Sequence, residues 1–362
     1  MFVERLELVD FRNYRDASFT LTPGVTAVVG QNAQGKTNVA EALGFLATLD
    51  SFRRVPTVAL VREGADSAIV RAVVRHEDTR DLLIEVQIQR QGRTHVLVNK
   101  QRLVRTRDLL GYIRVSVFSP DDLELVKGAP SERRQFLDDT LVSLAVKNDA
   151  LRLELDRVLR QRNTLLRQAG GRLSEDIAFS LDVWDEKLAA IGDDMGRERA
   201  SLIAQLQPRV EQAYQHLAGR PLAVGMGYEP AWRRTGLRSA LAEARNDDVR
   251  RGVSTVGPHR DEVELSLGAL PARTHASQGD MRSLALSLRL AAHGLVAERT
   301  GMSPLLILDD VLSELDPRRC AALLTHLPAG QVVITTASPL PESALPDRVI
   351  RIESGQIVDG ED

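Results

Sequence analysis

Hydrophobic and polar positions alternate with a period of two near the N-terminus, which predicts β-strands. Leu6 and Leu8 alternate with charged residues, and residues 19–21 repeat the pattern. Residues 82–89 alternate again, and a shorter run at 94–98 follows a turn. We therefore expect a meander of antiparallel strands that buries one face and exposes the other to water.

The chain also contains continuous apolar runs and helical spacings. Residues 25–29, 305–308 and 332–334 are apolar runs of strand length, and residues 349–358 suggest a terminal hairpin. Residues 275–295 carry apolar side chains at helical spacing. Behind the first apolar run, such residues recur at i, i+3, i+4 and i+7 on one helix face: Val39, Ala42, Leu43 and Leu46.

The middle of the chain differs from both flanks. Residues 121–218 are rich in Leu, Arg, Glu and Gln, and Gly170-Gly171 is the clearest break in this stretch. The pattern predicts a helical hairpin or small bundle. We expect an α/β fold in which this helical arm interrupts the sheet, with domains at 1–120, 121–250 and 251–362.

Composition excludes several classes of protein. With 43% apolar and 27% charged residues over 362 positions, the chain can bury a core and is not disordered. No apolar stretch approaches the roughly 20 residues of a membrane span, and the first residues lack the features of a secretion signal. Cys320 is the single cysteine, so we expect a reducing, cytoplasmic setting. The net charge of −3 does not by itself indicate a nucleic-acid binder.

A glycine-rich segment carries the clearest chemistry. Residues 30–37 match G-x-x-x-x-G-K-[ST] without a mismatch. The two glycines let successive backbone N–H groups surround a phosphate, Lys36 can reach the outer phosphates, and the Thr37 hydroxyl can ligate Mg²⁺. The pattern predicts that the chain binds a nucleoside triphosphate with Mg²⁺. The predicted binding residues are Gly30, Gln31, Asn32, Ala33, Gln34, Gly35, Lys36 and Thr37.

Two carboxylates follow the apolar run at 305–308. Ligands of parallel α/β sheets lie beyond the carboxyl ends of the strands, so Asp309 and Asp310 would project towards the triphosphate. Asp309 is the expected partner of Thr37 around Mg²⁺, and Asp310 could orient or polarise the attacking water.

Ser277 has the features of a helix N-cap, and Asp280 three residues later resembles a capping box with Asp in place of Glu or Gln. An ordinary cap and a ligand-binding helix start both fit this pattern. The motif set favours the second interpretation, because a phosphate loop precedes this helix and an acidic strand end follows it.

The set and its order resemble the ATP-binding-cassette (ABC) ATPases of the Rad50/SMC type, and most closely the RecF family of bacterial recombination mediators. The resemblance covers nearly the whole chain and includes residues 8–14, 118–123, 126–128, 133–138, 161–163, 257–261 and 308–316. It implies an ABC-type P-loop ATPase head with an antiparallel β subdomain and an inserted helical arm domain.

The resemblance also implies residue roles. It assigns ATP to the phosphate loop and Asn38, with Arg12 and Asn13 near the nucleotide. It assigns Mg²⁺ to Thr37 and Asp309, and catalysis to Lys36, Asp310 and Ser277. Ser277 is included because Ser277, Gln278 and Gly279 would form a signature motif that contacts the γ-phosphate held by a second subunit. An ATP-dependent homodimer with two composite sites is therefore implied.

The function implied by the resemblance is ATP-dependent DNA binding in recombinational repair and replication restart. ATP would drive dimerisation on gaps or junctions between single-stranded and duplex DNA, and slow, DNA-stimulated hydrolysis would release the protein. Recombinase loading and SOS induction would be assisted, with RecR and RecO as partners and no membrane involved. Basic runs at 102–107, 133–134 and 152–167 are candidate DNA contacts, and an aromatic content of 4% favours phosphate contacts over base stacking.

The sequence departs from the family pattern at three places. Asp280-Met281-Arg282 stands where Gln-Gln-Arg is expected, no glutamine occupies the Q-loop near 119–122, and no switch histidine follows 332–336. A transporter's nucleotide-binding subunit would need that Gln, that His and a Glu at position 310. A chromosome-tethering SMC protein would need arms of hundreds of heptad residues, which this chain lacks.

Overall fold

The computed structural model describes residues 1–76 and 81–358, and these fall into two compact units. Unit 1 comprises residues 1–122, 213–220 and 282–362, and unit 2 comprises residues 123–212 and 221–281. Residues 251–281 therefore belong with the helical unit and not, as expected from the sequence, with the remainder of the head. The strand at residues 264–267 explains the difference, because it pairs with the strand at residues 224–227.

Fifteen strands and ten helices are numbered in chain order among the described residues. The strands are β1 (Phe2–Phe11), β2 (Tyr14–Thr20), β3 (Val25–Val29), β4 (Ser67–Arg75), β5 (Asp81–Gln89), β6 (His95–Val98), β7 (Gln101–Arg102), β8 (Val115–Phe118), β9 (Val224–Gly227), β10 (Glu264–Leu267), β11 (Leu270–Pro271), β12 (Leu305–Asp309), β13 (Val332–Thr336), β14 (Arg348–Glu353) and β15 (Gln356–Val358). The helices are α1 (Lys36–Thr48), α2 (Glu124–Lys127), α3 (Pro130–Leu144), α4 (Lys147–Gln168), α5 (Glu175–Ala218), α6 (Trp232–Thr235), α7 (Leu237–Arg251), α8 (Ala272–His275), α9 (Gln278–Thr300) and α10 (Pro317–Thr325).

Unit 1 contains two six-stranded sheets. The first is antiparallel, with the order β2-β1-β4-β5-β6-β7, as the alternating pattern predicts. The second has the order β15-β14-β3-β13-β12-β8 and is parallel except for the β14–β15 hairpin. The continuous apolar runs form its central strands, because a sheet covered on both faces buries every side chain.

Apolar packing covers both faces of the second sheet. On one face, Leu43 of α1 and Leu8 of the antiparallel sheet share a core with Ile307 and Val333. On the other face, α10 packs through Leu323 and nearby apolar residues against Leu308 and Ile334. The sheet thereby holds the carboxyl ends of β3, β12 and β13 side by side, in register.

Unit 2 is built mainly from α3, α4, α5 and α7, with a small sheet ordered β11-β10-β9. The chain turns between α4 and α5 at Gly170 and Gly171, which have positive φ angles of 56° and 82°. Fully buried Arg162 of α4 donates to Asp185 of α5 at 2.6 Å and to Asp248 of α7 at 2.7 Å. This ion-pair network connects three helices across the interior of the unit.

No helix in the part of the chain that the structure describes is long and apolar enough to cross a membrane.

Candidate functional site: a phosphate loop beside an acidic strand end

The predicted phosphate loop connects the end of β3 to the start of α1. Gly35 is the N-cap residue of α1 and has φ +118°, a region that L side chains rarely adopt. A Cβ atom there would lie 2.7 Å from both Asn13 Nδ2 and the Tyr14 hydroxyl oxygen. Gly30 is equally confined, because a Cβ atom would collide with the carbonyl oxygen of Ile352. Both glycines are therefore required by the shape of the loop.

Side chains that follow β1 hold the loop from outside. Asn13 Nδ2 donates to the Gln34 carbonyl at 3.0 Å, and the Tyr14 hydroxyl donates to the Gly35 carbonyl at 3.0 Å. Asn38 Nδ2 donates to Asn13 Oδ1 at 2.7 Å. These bonds anchor the loop, and no acidic residue lies in the first turn of α1. The helix N-terminus is thus electrostatically suited to an anion.

The side chain of Lys36 packs against the phosphate loop. This side chain is mostly buried, and Nζ donates to the Gln31 carbonyl at 2.7 Å. Burial lowers the pKa of Lys36, while the negative charges of Asp310 and Asp309 act in the opposite direction. Among the described residues, the Gln31 carbonyl is the hydrogen-bond partner of Lys36 Nζ, and a phosphate oxygen can replace it with a charged partner.

Asp309 lies where the sequence predicts it, at the end of β12 and close to Thr37. The residue is 4% exposed, and its Oδ1 accepts a hydrogen bond from Thr335 Oγ1 at 2.6 Å. Burial raises the pKa of Asp309, and hydrogen bonds from Thr335 and Thr37 oppose that effect. A bound cation would stabilise the ionised form that burial disfavours.

Asp310 adopts the left-handed conformation, with φ +52°, which is uncommon for a residue other than glycine. Its backbone N–H donates to the carbonyl of Thr335 at 3.0 Å. Within the described ranges, its buried Oδ1 has no hydrogen-bond partner. A buried, unpaired carboxylate oxygen calls for a ligand, and a water molecule or cation beside a triphosphate would satisfy it.

These donors fit Mg²⁺ bound together with a triphosphate. No cluster of three or more His, Cys, Asp or Glu side chains able to hold a metal occurs in residues 1–76 or 81–358. Thr37 and the carboxylates at the strand end are the groups beside the phosphate loop that would hold Mg²⁺. Mg²⁺ is usually held by one or two carboxylates together with phosphate and water oxygens, so this set is sufficient only with a nucleotide.

Ser277, Gln278 and Gly279 lie in unit 2 and at the start of α9. Ser277 Oγ donates to Asp280 Oδ2 at 2.8 Å, and the Asp280 N–H donates to Ser277 Oγ at 3.2 Å. The carboxylate of Asp280 is thus engaged in the cap. The role of these residues towards a nucleotide in a second subunit stays a prediction.

At the Q-loop position, Asp122 is fixed by Arg289, whose Nη2 donates to Asp122 Oδ1 at 2.6 Å. At the end of β13, Thr335 contacts Asp309 directly. Two of the three departures noted in the sequence, at the Q-loop position and at the end of β13, therefore involve residues with defined hydrogen bonds.

The structure adds Glu41 and a pocket, neither of which the sequence singled out. Arg12 does not project freely, because its Nε and Nη2 donate to Glu41 Oε2 and Oε1, each at 2.7 Å. A pocket of about 540 Å³ opens beside this pair and the phosphate loop. It is lined by Arg12, Asn13, Asn38, Arg53, Val58, Ala59, Val61, Glu63 and Arg90. Sequence spacing carries no signal for this pocket, since its residues come from separate segments.

A parallel sheet with a phosphate loop after β3, an acidic end on β12 and a flanking antiparallel sheet define an ABC-type ATPase head. The family model described as the RecF/RecN/SMC N terminal domain matches residues 2–356, and the chain belongs to this family. Within it, the chain is a member of the RecF group, as the following relatives show.

A DNA replication and repair protein RecF from Streptomyces avermitilis is 44% identical over 93% of this chain and 94% of its own. The RecF protein of Arthrobacter sp. is 39% identical over the full length of both chains. A solved structure described as the recombination mediator protein RecF with ATP, in the RecFOR pathway, superposes with a TM-score of 0.90 at 29% identity, covering 99% of this chain and 97% of that chain. An Smc head from Pyrococcus furiosus, at 17% identity and a TM-score of 0.59, shares the fold.

Proposed function

We propose that this chain is an ATP-dependent DNA-binding protein of recombinational repair and replication restart. The proposal rests on one observation: Lys36 and Thr37 of the phosphate loop lie close to Asp309 and Asp310 at the end of β12. The names of the relatives support the same function, because they describe RecF proteins in DNA replication and repair and one bound to ATP.

In this proposal the backbone from Gly30 to Thr37 and the side chain of Lys36 hold the triphosphate. Thr37 and Asp309 hold Mg²⁺, which would neutralise phosphate charge when bound. Asp310 orients the attacking water through its unpaired Oδ1. Asn13 and Asn38 line the adjacent pocket, which would take the nucleoside end of ATP.

The reaction centre is completed by a second copy of the chain. Ser277, Gln278 and Gly279 of one protomer would contact the γ-phosphate bound by the other, so that two ATP molecules join an isologous dimer. Binding of ATP favours the closed dimer, and slow hydrolysis removes the γ-phosphate contacts and releases it. Because neither protomer owns a whole centre, weak ATPase activity is expected until DNA favours assembly.

DNA and the mediators RecR and RecO are the proposed partners, and recombinase loading with SOS induction is the proposed outcome. Exposed arginines of the basic runs at 102–107 and 152–167 supply cations for phosphate contacts, which are largely independent of sequence. Arg133 of the run at 133–134 and Arg162 are instead buried in ion pairs with acidic residues. Preference for gaps or junctions would come from the spacing of such contacts on the dimer.

The test compares wild type with Lys36→Ala and Ser277→Arg, and measures ATP binding, dimer fraction and ATP turnover on the same samples. Lys36→Ala should lose ATP binding, because the phosphates lose their charged partner. Ser277→Arg should bind ATP but fail to dimerise or turn it over, because the larger cation blocks the signature contact.

Ser174→Arg is the matched control, since Ser174 is another exposed serine at the start of a helix, and its Oγ accepts from the N–H of Ile177. This control should dimerise as wild type does. Normal dimerisation of Ser277→Arg would overturn the composite site, and ATP turnover at full rate by a monomer would overturn the dimer mechanism as a whole.

A further inference from the structure

A buried carboxylate lies on the phosphate-loop helix, outside the residues assigned above. Glu41 is four residues after Thr37 in α1, and its side chain is 0% exposed. Burying an ionised carboxylate is costly unless charged or hydrogen-bonding groups surround it. The groups that surround the Glu41 carboxylate therefore show which parts of the chain it holds together.

Three side chains converge on this carboxylate. Arg12 forms the two-pronged pair already described, and Ser51 Oγ donates to Glu41 Oε1 at 2.5 Å. Arg53 Nη1 lies 3.9 Å from Glu41 Oε2 and donates to Asn38 Oδ1 at 3.4 Å. Glu41 thus connects the turn after β1 with the segment that follows α1.

The arginines keep hydrogen-bonding capacity towards the pocket. Arg12 also donates from Nη1 to the Ala59 carbonyl at 3.0 Å, which uses three of the five guanidinium N–H groups. The side chain of Arg53 is 42% exposed, and both arginines line the pocket beside the phosphate loop. The Arg12 backbone is held as well, since its N–H donates to the Leu60 carbonyl at 2.7 Å.

The charges at the pocket do not cancel. Glu41 carries one negative charge against the two positive charges of Arg12 and Arg53, and the pocket lining adds Arg90 and Glu63 in balance. The pocket lining together with Glu41 therefore carries a net charge of +1. A phosphate-bearing ligand matches that charge and the bidentate geometry of guanidinium groups.

We propose that Glu41 is a positioning residue for the nucleotide: it holds Arg12 and Arg53 at the edge of the pocket so that both guanidinium groups face the phosphates. The proposal rests on ATP binding by the phosphate loop. Without Glu41, the two guanidinium groups repel each other, and the loop carrying Ser51 and Arg53 loses its anchor to α1.

The test measures the dissociation constant of a fluorescent ATP analogue for full-length variants, together with denaturant unfolding of the nucleotide-free protein. Glu41→Gln keeps the size of the side chain and removes its charge. We expect it to weaken ATP binding about ten- to a hundredfold, the usual effect of losing charged hydrogen bonds. Arg12→Gln should weaken binding similarly. Glu41→Gln added to a chain that carries both Arg12→Gln and Arg53→Gln should cause little further loss, because Glu41 acts through these two arginines.

Glu4→Gln is the control, because Glu4 accepts two hydrogen bonds from Arg75 in the same two-pronged geometry, at 2.7 and 2.8 Å, on the antiparallel sheet. It should leave ATP affinity unchanged. Glu41→Asp, which keeps the charge on a shorter side chain, should bind ATP with an affinity between those of wild type and Glu41→Gln.

A Glu41→Gln variant with reduced stability and wild-type ATP affinity would assign Glu41 to folding alone and overturn the proposal. If Glu41→Gln does not unfold cooperatively, the test uses Glu41→Asp and Arg53→Gln instead. Wild-type ATP affinity in both of these variants would overturn the proposal, and weakened ATP binding in them would support it. Equal ATP affinity of wild type and Lys36→Ala would instead refute nucleotide binding by the phosphate loop, which keeps the two failures distinct.

Discussion

The stability of this protein should fall in mild acid, and His293 should contribute a measurable part of that loss. His293 of α9 is 1% exposed, and neither ring nitrogen has a hydrogen-bond partner among the described residues. Burial lowers its pKa from 6.5 to about 4. Between these two values the unfolded chain binds a proton that the folded chain does not, so acid favours unfolding.

The magnitude follows from the pKa difference. One pKa unit corresponds to about 1.4 kcal/mol, so protonation at position 293 removes about 2 kcal/mol from the free energy of unfolding at pH 5 and about 3 kcal/mol at pH 4, relative to pH 7. A total stability of roughly 5–15 kcal/mol makes either value easy to measure. Replacement by leucine removes the titrating group and both unpaired nitrogens.

The assay is urea unfolding followed by far-UV circular dichroism at pH 7, 5 and 4, for wild type and His293→Leu without nucleotide. The stability of the variant relative to wild type should rise by about 2 kcal/mol between pH 7 and pH 5. Burial also lowers the pKa of His259 to about 4, but this residue is present in both proteins, so its contribution cancels from the difference between them. Leu295→Ala, at a fully buried apolar position in the same helix, should lower stability equally at each pH. If the difference in free energy of unfolding between His293→Leu and wild type is the same at each pH, the reasoning is refuted.

Three further predictions concern the site. Gly35→Ala should abolish ATP binding, whereas Gly92→Ala, at a similar φ of +110° with nothing within 4 Å of the added Cβ, should not; equal nucleotide affinity in titrations of the two variants would contradict the crowding argument. Asp310→Asn should keep ATP binding and lower turnover by about 10²- to 10⁴-fold in single-turnover hydrolysis, as expected for a group that orients water; unchanged turnover would remove Asp310 from the reaction. Duplex DNA affinity should fall as salt rises, with log K decreasing by about 0.9 per phosphate contact for each unit of log salt; a flat salt titration of fluorescence anisotropy would argue against phosphate contacts.

The local parts of the site were predictable from sequence. The phosphate loop depends on two glycines and the lysine within one segment, and the confinement of Gly30 and Gly35 shows why no other residue type would serve. The acidic strand end was equally visible, because an apolar run followed by two aspartates specifies both the strand and the edge at which it ends. For these two segments, residue type and short spacing in the sequence are enough to predict the local structure.

The boundary of the second unit was not predictable in this way. Residues 264–267 were expected in the ATPase head, but they pair with residues 224–227, about 40 positions earlier in the chain. The carboxylate of Asp261 also accepts hydrogen bonds from Tyr228 at 2.6 Å and from Trp232 at 2.7 Å. Strand pairing and buried polar contacts over this separation leave no periodic pattern in the sequence.

Glu41 shows the same limit within the site itself. In the sequence it is a charged residue among the alanines and leucines of a helix, and such residues usually face water. Its burial depends on Arg12, 29 positions earlier, and on Ser51, 10 positions later. A buried charge is tolerated only where such partners converge, and convergence is a property of the fold. The proposed phosphate-binding residues can therefore be predicted from a motif, whereas a residue such as Glu41, which we propose to position the surrounding arginines, becomes visible only when the elements pack together.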